Sequence, residues 1–421
     1  MERYLLSYLK DYYTNPLAKK WIDYMKVDLD GFLYAYGENM NLDYPMSRSV
    51  DFRFYKRLLR NIVKTEKGER SIDCQNNVLS FVGLPSEFIK STNLNVLGSI
   101  VQPVGEKIIY SKKLIESYLF YSKLIKETDF NRIFSDENIK KLEKFKNILL
   151  DDYSKYNFKA LFVGNGEPFM FKLHLDIFKD LKVPSFIFLH GLPGIYKLDT
   201  EKRADYLLVW GDQIKKNYID AGFEPDRIIV TGHPEYKEMP KLENLRNDFS
   251  NVLVITTSSV DWSPHGWEAA KFPIYDRSRI VLYAYSIQHV LQRNGVHKAR
   301  LRVHPSVNKD WIMKYVDDSF YTIDNDTLKD SLNQSSLLIG PTSTMWLNSI
   351  LEGVNYLIYE PISESGGLVP PFDGSDKCVK VAISEDELNK MLEEKYILDL
   401  EIIDKYVKPF NSQIVSNYIP I

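Results

Sequence analysis

The stretch LLIGPTSTMWLNSILEG, residues 337–353, decides how the rest of the chain is read. Leu337-Leu338-Ile339 is a short apolar run, as at the end of a buried strand, and Gly340-Pro341 break it. Thr342, Ser343 and Thr344 follow, and Met345, Leu347, Ile350 and Leu351 then recur at helical spacing. A strand, a tight turn and hydroxyls at a helix start form an arrangement suited to an anion. The first helical turn has free N–H groups, and its dipole favours negative charge. An ordinary N-cap uses the same residue types.

From residue 158 the same grammar repeats. FKALFV (158–163) predicts a strand that stops in Gly164-Asn165-Gly166-Glu167-Pro168, with a helix over 169–181. Strands over 184–189, 206–209 and 227–230 stop in His190-Gly191-Leu192-Pro193-Gly194, Trp210-Gly211-Asp212 and Thr231-Gly232-His233-Pro234. Strand, glycine turn and helix in succession predict a parallel α/β sheet, whose ligands lie at the C-terminal ends of the strands. The polar run 235–249 reads as a linker.

A second such series begins at Asn251. Strands over 251–255, 298–303, 321–323, 337–339 and 356–359 alternate with helices over 277–293, 326–334 and 345–351. Helices over 385–392 and 401–410 close the chain. The first 85 residues read less clearly. A helix over 4–24, interrupted at Pro16, and a strand over 31–36 are expected there. Residues 52–64 are expected to form a basic amphipathic helix suited to a solvated face or an anionic membrane surface. Further strands are expected over 78–84 and 96–100, with helices over 110–127 and 136–152.

At 421 residues the chain exceeds the usual single core, so two domains are expected: 1–240, binding the acceptor, and 250–400, binding the nucleotide, with a helix and tail over 401–421. A net charge of −3 gives no electrostatic basis for nucleic-acid binding. Two cysteines, Cys74 and Cys378, suggest neither a disulfide framework nor a metal cluster and fit a reducing compartment. The acidic residues near the start make a poor signal peptide, and no run approaches the ~20 apolar residues of a spanning helix. A cytoplasmic protein is therefore expected, with peripheral contact at the inner membrane face.

The candidate chemistry follows the turns. His304 ends a strand in RVHPS, where Pro305 fixes the backbone behind it and the ring can donate to a phosphate. Ser343 and Thr344 start a helix, Glu352 near that helix's end offers a carboxylate for ribose hydroxyls, and Thr257 and Ser258 are a further phosphate pair. In the first series, Glu167, His190 and Asp212 sit where strands end and are candidate acid–base or nucleophilic groups. Asp261 and His265, in DWSPHGWE, form a third set beside Trp262 and Trp267, whose rings suit sugar stacking. Each also has a structural reading: a loop-ordering histidine for His304, and dipole compensation at a helix start for Glu167. The sequence presents no HExxH, Walker or GxGxxG motif, and no metal or cofactor is expected.

On these motifs the chain resembles bacterial surface-polysaccharide glycosyltransferases of the GT-B architecture. VWGDQIKKNYIDAGFEPDRIIVTGHP (209–234) is similar to the end of the N-terminal domain in several of these families, including the polyglycerol-phosphate polymerases and capsule transferases. RVHPS and GPTSTMW resemble the motifs of enzymes using CMP-activated Kdo or sialic acid. The resemblance implies two Rossmann-like domains facing each other across a cleft. It implies a CMP-sugar donor held by His304, Ser343, Thr344 and Glu352, and transfer to an oligosaccharide or glycolipid acceptor for capsule or lipopolysaccharide. The Asp-Asp-Gly type acid motif of some sialyltransferases is absent from the sequence, which tips the expected sugar towards Kdo. The alternatives are a CDP-polyol phosphotransferase, a UDP-sugar 2-epimerase and a noncatalytic sugar-nucleotide-binding protein.

Overall fold

The computed structural model describes residues 13–37, 59, 76–99, 107–109, 111–125, 127, 129–166, 168–189, 191–193, 196, 203–240, 244–256, 277–304, 309–361 and 368–420. The chain divides into two compact units. One comprises Met1–His190, Lys197–Lys237 and Pro409–Ile421, and the other Gly191–Tyr196 and Glu238–Lys408.

The first unit holds strands β1 (Asn77–Ser80), β2 (Asn95–Ser99), β3 (Lys107–Ile109), β4 (Phe158–Val163), β5 (Ser185–Phe188), β6 (Tyr206–Val209) and β7 (Ile228–Val230). They form one sheet in the order β3-β2-β1-β4-β5-β6-β7, with every neighbouring pair parallel. Its helices are α1 (Pro16–Gly37), α2 (Ser86–Thr92), α3 (Lys112–Leu124), α4 (Phe130–Ile133), α5 (Asp136–Tyr153), α6 (Phe169–Asp180) and α7 (Asp212–Asp220).

The second unit holds β8 (Val252–Ile255), β9 (Ala299–Arg302), β10 (Tyr321–Ile323), β11 (Leu337–Gly340), β12 (Tyr356–Tyr359) and β13 (Val381–Ala382). Its sheet runs β10-β9-β8-β11-β12-β13, again all parallel. Helices α8 (Arg277–Arg293), α9 (Lys309–Ile312), α10 (Leu328–Gln334), α11 (Met345–Leu351), α12 (Glu385–Glu393) and α13 (Glu401–Tyr406) belong to it. A last helix, α14 (Ser412–Ser416), returns to the first unit.

Both sheets therefore have the doubly wound order 3-2-1-4-5-6, the first with an added seventh strand. The expected α/β class and the GT-B pattern of two Rossmann-like units are present. In each sheet the strand order reverses once, between β1 and β4 and between β8 and β11. Connections leave in opposite directions there, which opens a crevice at the strand ends. Both crevices have a glycine at a tight spot. A Cβ on Gly164, just after β4, would stand 3.1 Å from Val82 Cγ1. A Cβ on Gly340, the last residue of β11, would overlap the Tyr356 hydroxyl and stand 2.9 Å from Ile255 Cβ.

Several elements differ from expectation. Residues 31–36 are not a strand but the last turns of α1. Pro16 begins that helix, at the position where its missing N–H costs nothing, and Gly31 is carried within it. The tail is not one helix over 401–410. Val407 is extended after α13, and the chain then pairs with the first unit, Asn411 N–H donating to Thr231 O at 2.8 Å. Val415 and Ile419 are buried there among Val78, Phe88 and Phe162. The basic segment 52–64 lies outside the described residues, apart from Leu59. Among the described residues no helix is long and apolar enough to cross a membrane.

Candidate functional site

The crevice of the second sheet is built from the ends of four adjacent strands, β9, β8, β11 and β12. After β8, Thr256 N–H donates to Arg302 O at 3.1 Å, and Thr256 Oγ1 accepts the N–H of His304 at 2.9 Å. This cross-strand tie fixes the backbone carrying the His304 ring, which is exposed at the end of β9. Partial desolvation lowers the pKa of His304, so the ring is neutral at neutral pH. Beneath it, Arg300 and Arg302 converge on the buried Asp324. Arg302 Nη1 lies 2.7 Å from Oδ2, and Ser331 Oγ donates to the same oxygen at 2.6 Å. This network ties β9, which leads into His304, to the residue after β10 and to α10.

Past Gly340, the buried Tyr356 hydroxyl donates to Pro341 O at 2.8 Å. Thr342 donates both its N–H, at 3.1 Å, and its hydroxyl, at 2.9 Å, to Glu360 Oε2 at the end of β12. Ser343 Oγ accepts the N–H of Met345 at 3.2 Å and closes the first turn of α11. Thr344 Oγ1 accepts the N–H of Leu192 at 3.2 Å. Leu192 belongs to the short segment Gly191–Tyr196, which packs into this unit, and Tyr196 Oη donates to Pro370 O at 3.0 Å. A Cβ on Gly191 would stand 3.0 Å from Thr344 Oγ1, so a larger residue there would press on the Thr344 side chain.

The structure brings together His304, Ser343 and Thr344 at one edge of one sheet. It does not bring Glu352 there. Glu352 caps the far end of the seven-residue α11, about 12 Å along the axis from Thr344 at ~1.5 Å per residue. Its carbonyl accepts from Arg246 Nη2 at 3.0 Å, beside the start of β12. Asp212 is exposed at the first position of α7, at the end of β6 in the first unit, where a carboxylate favours the helix dipole. Glu167, His190, Thr257, Ser258, Asp261 and His265 lie outside the described residues.

Sequence reasoning missed Thr256, Glu360 with its tie to Thr342, and the role of Gly191-Leu192. Glu360 carries a legible signal, because it follows the apolar run YLIY directly and so falls at a strand's C-terminal end. The docking of Leu192 on Thr344, 152 positions away, has no local signal. One group of metal-capable atoms occurs among the described residues, on Cys378, Asp399 and Glu401. Lys405 Nζ sits 3.0 Å from the Cys378 sulfur, so the thiol already has a cationic partner.

No protein-family profile matches the chain, and no curated protein matches it. Solved structures do. Among them is a co-structure of S. aureus MnaA with UDP, at 11% identity and a TM-score of 0.48, covering 82% of this chain and 96% of that one. A putative UDP-N-acetylglucosamine 2-epimerase from Listeria monocytogenes matches at 12% identity and 0.44, covering 81% and 93%. The wall teichoic acid polymerase TagF matches at 13% identity and 0.41, covering 88% and 96%. These likenesses concern the chain's layout. They also correct the expected resemblance: these three are a UDP-bound protein, a putative UDP-N-acetylglucosamine 2-epimerase and a wall teichoic acid polymerase, not CMP-Kdo or CMP-sialic acid transferases. The expectation of a CMP-linked Kdo or sialic acid donor is withdrawn.

Proposed function

We propose that this protein is an enzyme acting on a nucleoside-diphosphate-linked sugar or polyol, with the diphosphate held at the C-terminal strand ends of the second unit. The observation that carries this reading is the convergence of His304, the Thr342–Glu360 tie and the hydroxyls of Ser343 and Thr344 around the reversal of strand order between β8 and β11. Ligands of doubly wound sheets lie at such a point. Neighbouring strands are spaced about 4.8 Å apart, so the ends of β9 and β11 stand roughly 10 Å apart across β8. A diphosphate with its flanking ribose spans that distance better than a single phosphate does.

The neutral His304 ring donates one N–H to a phosphate oxygen, and binding the dianionic group favours its protonated form. The amides and hydroxyls of Ser343 and Thr344 donate to the other phosphate. Glu360 holds that turn in shape and places a carboxylate at the strand edge where ribose hydroxyls lie. Asp212, exposed at the end of β6, is the described acid–base candidate of the first unit, with Glu167 and His190 as further ones.

Incubation with UDP-N-acetylglucosamine and, separately, with CDP-glycerol, followed by phosphorus and proton NMR, tests the reading. Inversion at the sugar carbon would identify an epimerase, and release of CMP with a polyol-phosphate acceptor would identify a transferase. A protein that neither binds nor converts either compound would refute the proposal.

A further inference from the structure

The first unit carries a buried group of charges that the nucleotide site does not use. Lys172, in the first turns of α6, is 1% exposed. Its Nζ donates to the main-chain oxygen of Asp23 at 2.7 Å, its one hydrogen-bond acceptor among the described residues. An ammonium has three N–H donors to satisfy, whereas a neutral amine loses far less when buried with a single acceptor. The carboxylate of that same Asp23 is already committed: Oδ1 lies 2.9 Å from Lys26 Nζ, and Oδ2 is bound by Arg203.

The charges facing Lys172 are Asp23, Lys26 and Asp28 of α1, and Arg203 ahead of β6. With Lys172 itself that makes three cations to two carboxylates. Tyr24 of α1 has its ring under Arg203 and its hydroxyl on Asp176. On α6, Asp176 is paired with Lys20 and Lys146, at 2.9 and 2.7 Å. His174 is enclosed, with both ring nitrogens engaged by Tyr153 and Met170. Lys172 is the cation with no carboxylate of its own, and burial brings its amine down to about 7.

This group is tied to the start of α6. Asp28 Oδ2 accepts the N–H of Phe169 at 3.2 Å and the hydroxyl of Tyr121. The Tyr121 ring stacks on Phe169 with centroids 3.6 Å apart and planes 7° apart. Helix α1 thus grips the first residue of α6, which follows the turn at the first sheet's own reversal point. We propose that the α1–α6 contact is a proton-operated latch, closed when Lys172 is a neutral amine and loosened when it is an ammonium. Loosening frees the first turn of α6. The latch is independent of which nucleotide the second unit binds.

Hydrogen exchange of the full chain at pH 6 and pH 9, corrected for the intrinsic rate, tests the latch in a peptide covering Phe169 to Lys172. In the wild type, protection is expected to be roughly tenfold greater at the higher pH, and Lys172→Met is expected to abolish that difference. Equal protection at the two pH values in the wild type, or an unchanged response in Lys172→Met, overturns the proposal. Should that variant not fold, lysine-selective NMR of the wild type decides between the same two outcomes. A Lys172 signal titrating near neutrality supports the latch, and one titrating only near the ordinary lysine value of about 10.4 overturns it.

Discussion

Thr342 donates its main-chain N–H and its hydroxyl to one oxygen, Oε2 of Glu360, at 3.1 and 2.9 Å. The pair joins the turn after β11 to the end of the neighbouring β12, so the shape of the candidate phosphate turn depends on a carboxylate 18 positions later. Hydrogen bonds to a charged acceptor are worth about 1.5–3 kcal/mol each. Glu360→Ala should therefore lower the affinity for a nucleoside diphosphate by about tenfold or more. Glu360→Gln, which keeps one acceptor oxygen, should lose less. Calorimetric titration of both variants checks the order.

Gly340 is held against Tyr356 and Ile255 so closely that an alanine there would overlap the Tyr356 hydroxyl. Overpacking of this kind costs about 1–3 kcal/mol. Gly340→Ala should lower the denaturation midpoint accordingly, and adding Tyr356→Phe should recover part of the loss by removing the overlapping atom. A double-mutant cycle in chemical denaturation measures the recovery.

Two buried histidines set the acid limit of the first unit. Burial lowers His174 to about 4, and His233, between the rings of Trp210 and Tyr236, also to about 4. The unfolded chain takes up these protons at about 6.5, so between about 6.5 and about 4 it binds more protons than the folded chain. Stability should fall as pH drops through that window, by about 3 kcal/mol for His174 alone. His174→Gln, which keeps a donor and an acceptor but does not titrate, should flatten the dependence. Unfolding curves at pH 7, 5.5 and 4.5 test this.

The parallel strands were legible because, buried on both faces, they read as continuous apolar runs. FKALFV and YLIY appear as strands with the predicted bounds. The strand expected over 31–36 was not, because Phe32, Leu33, Tyr34 and Tyr36 suit either period and the helix is set by contacts far along the chain. Trp21 Nε1, for instance, donates to Glu143 at 2.9 Å. At the site, His304 and Ser343 were legible from their place after strands. Glu352 was misjudged because seven helical residues carry it to the opposite end of α11. The part played by Leu192 rests on a fold-level contact that no local pattern encodes.

His304 gives a pH signature for the ligand. Desolvation holds its pKa below the ordinary histidine value, and a bound phosphate should raise it. Binding should then take up protons near neutral pH and strengthen as pH falls towards the lowered value. Calorimetry in buffers of different ionisation enthalpy measures the uptake, and His304→Ala should remove it.

The most direct test of the nucleotide site is calorimetric titration of UDP, CDP and CMP into the wild type and into His304→Ala. UDP or CDP is expected to bind more tightly than CMP. The substitution is expected to weaken the preferred diphosphate by about tenfold, the worth of one hydrogen bond to a charged group. Equal binding of mono- and diphosphates, or diphosphate binding untouched by His304→Ala, would contradict a diphosphate site at these strand ends.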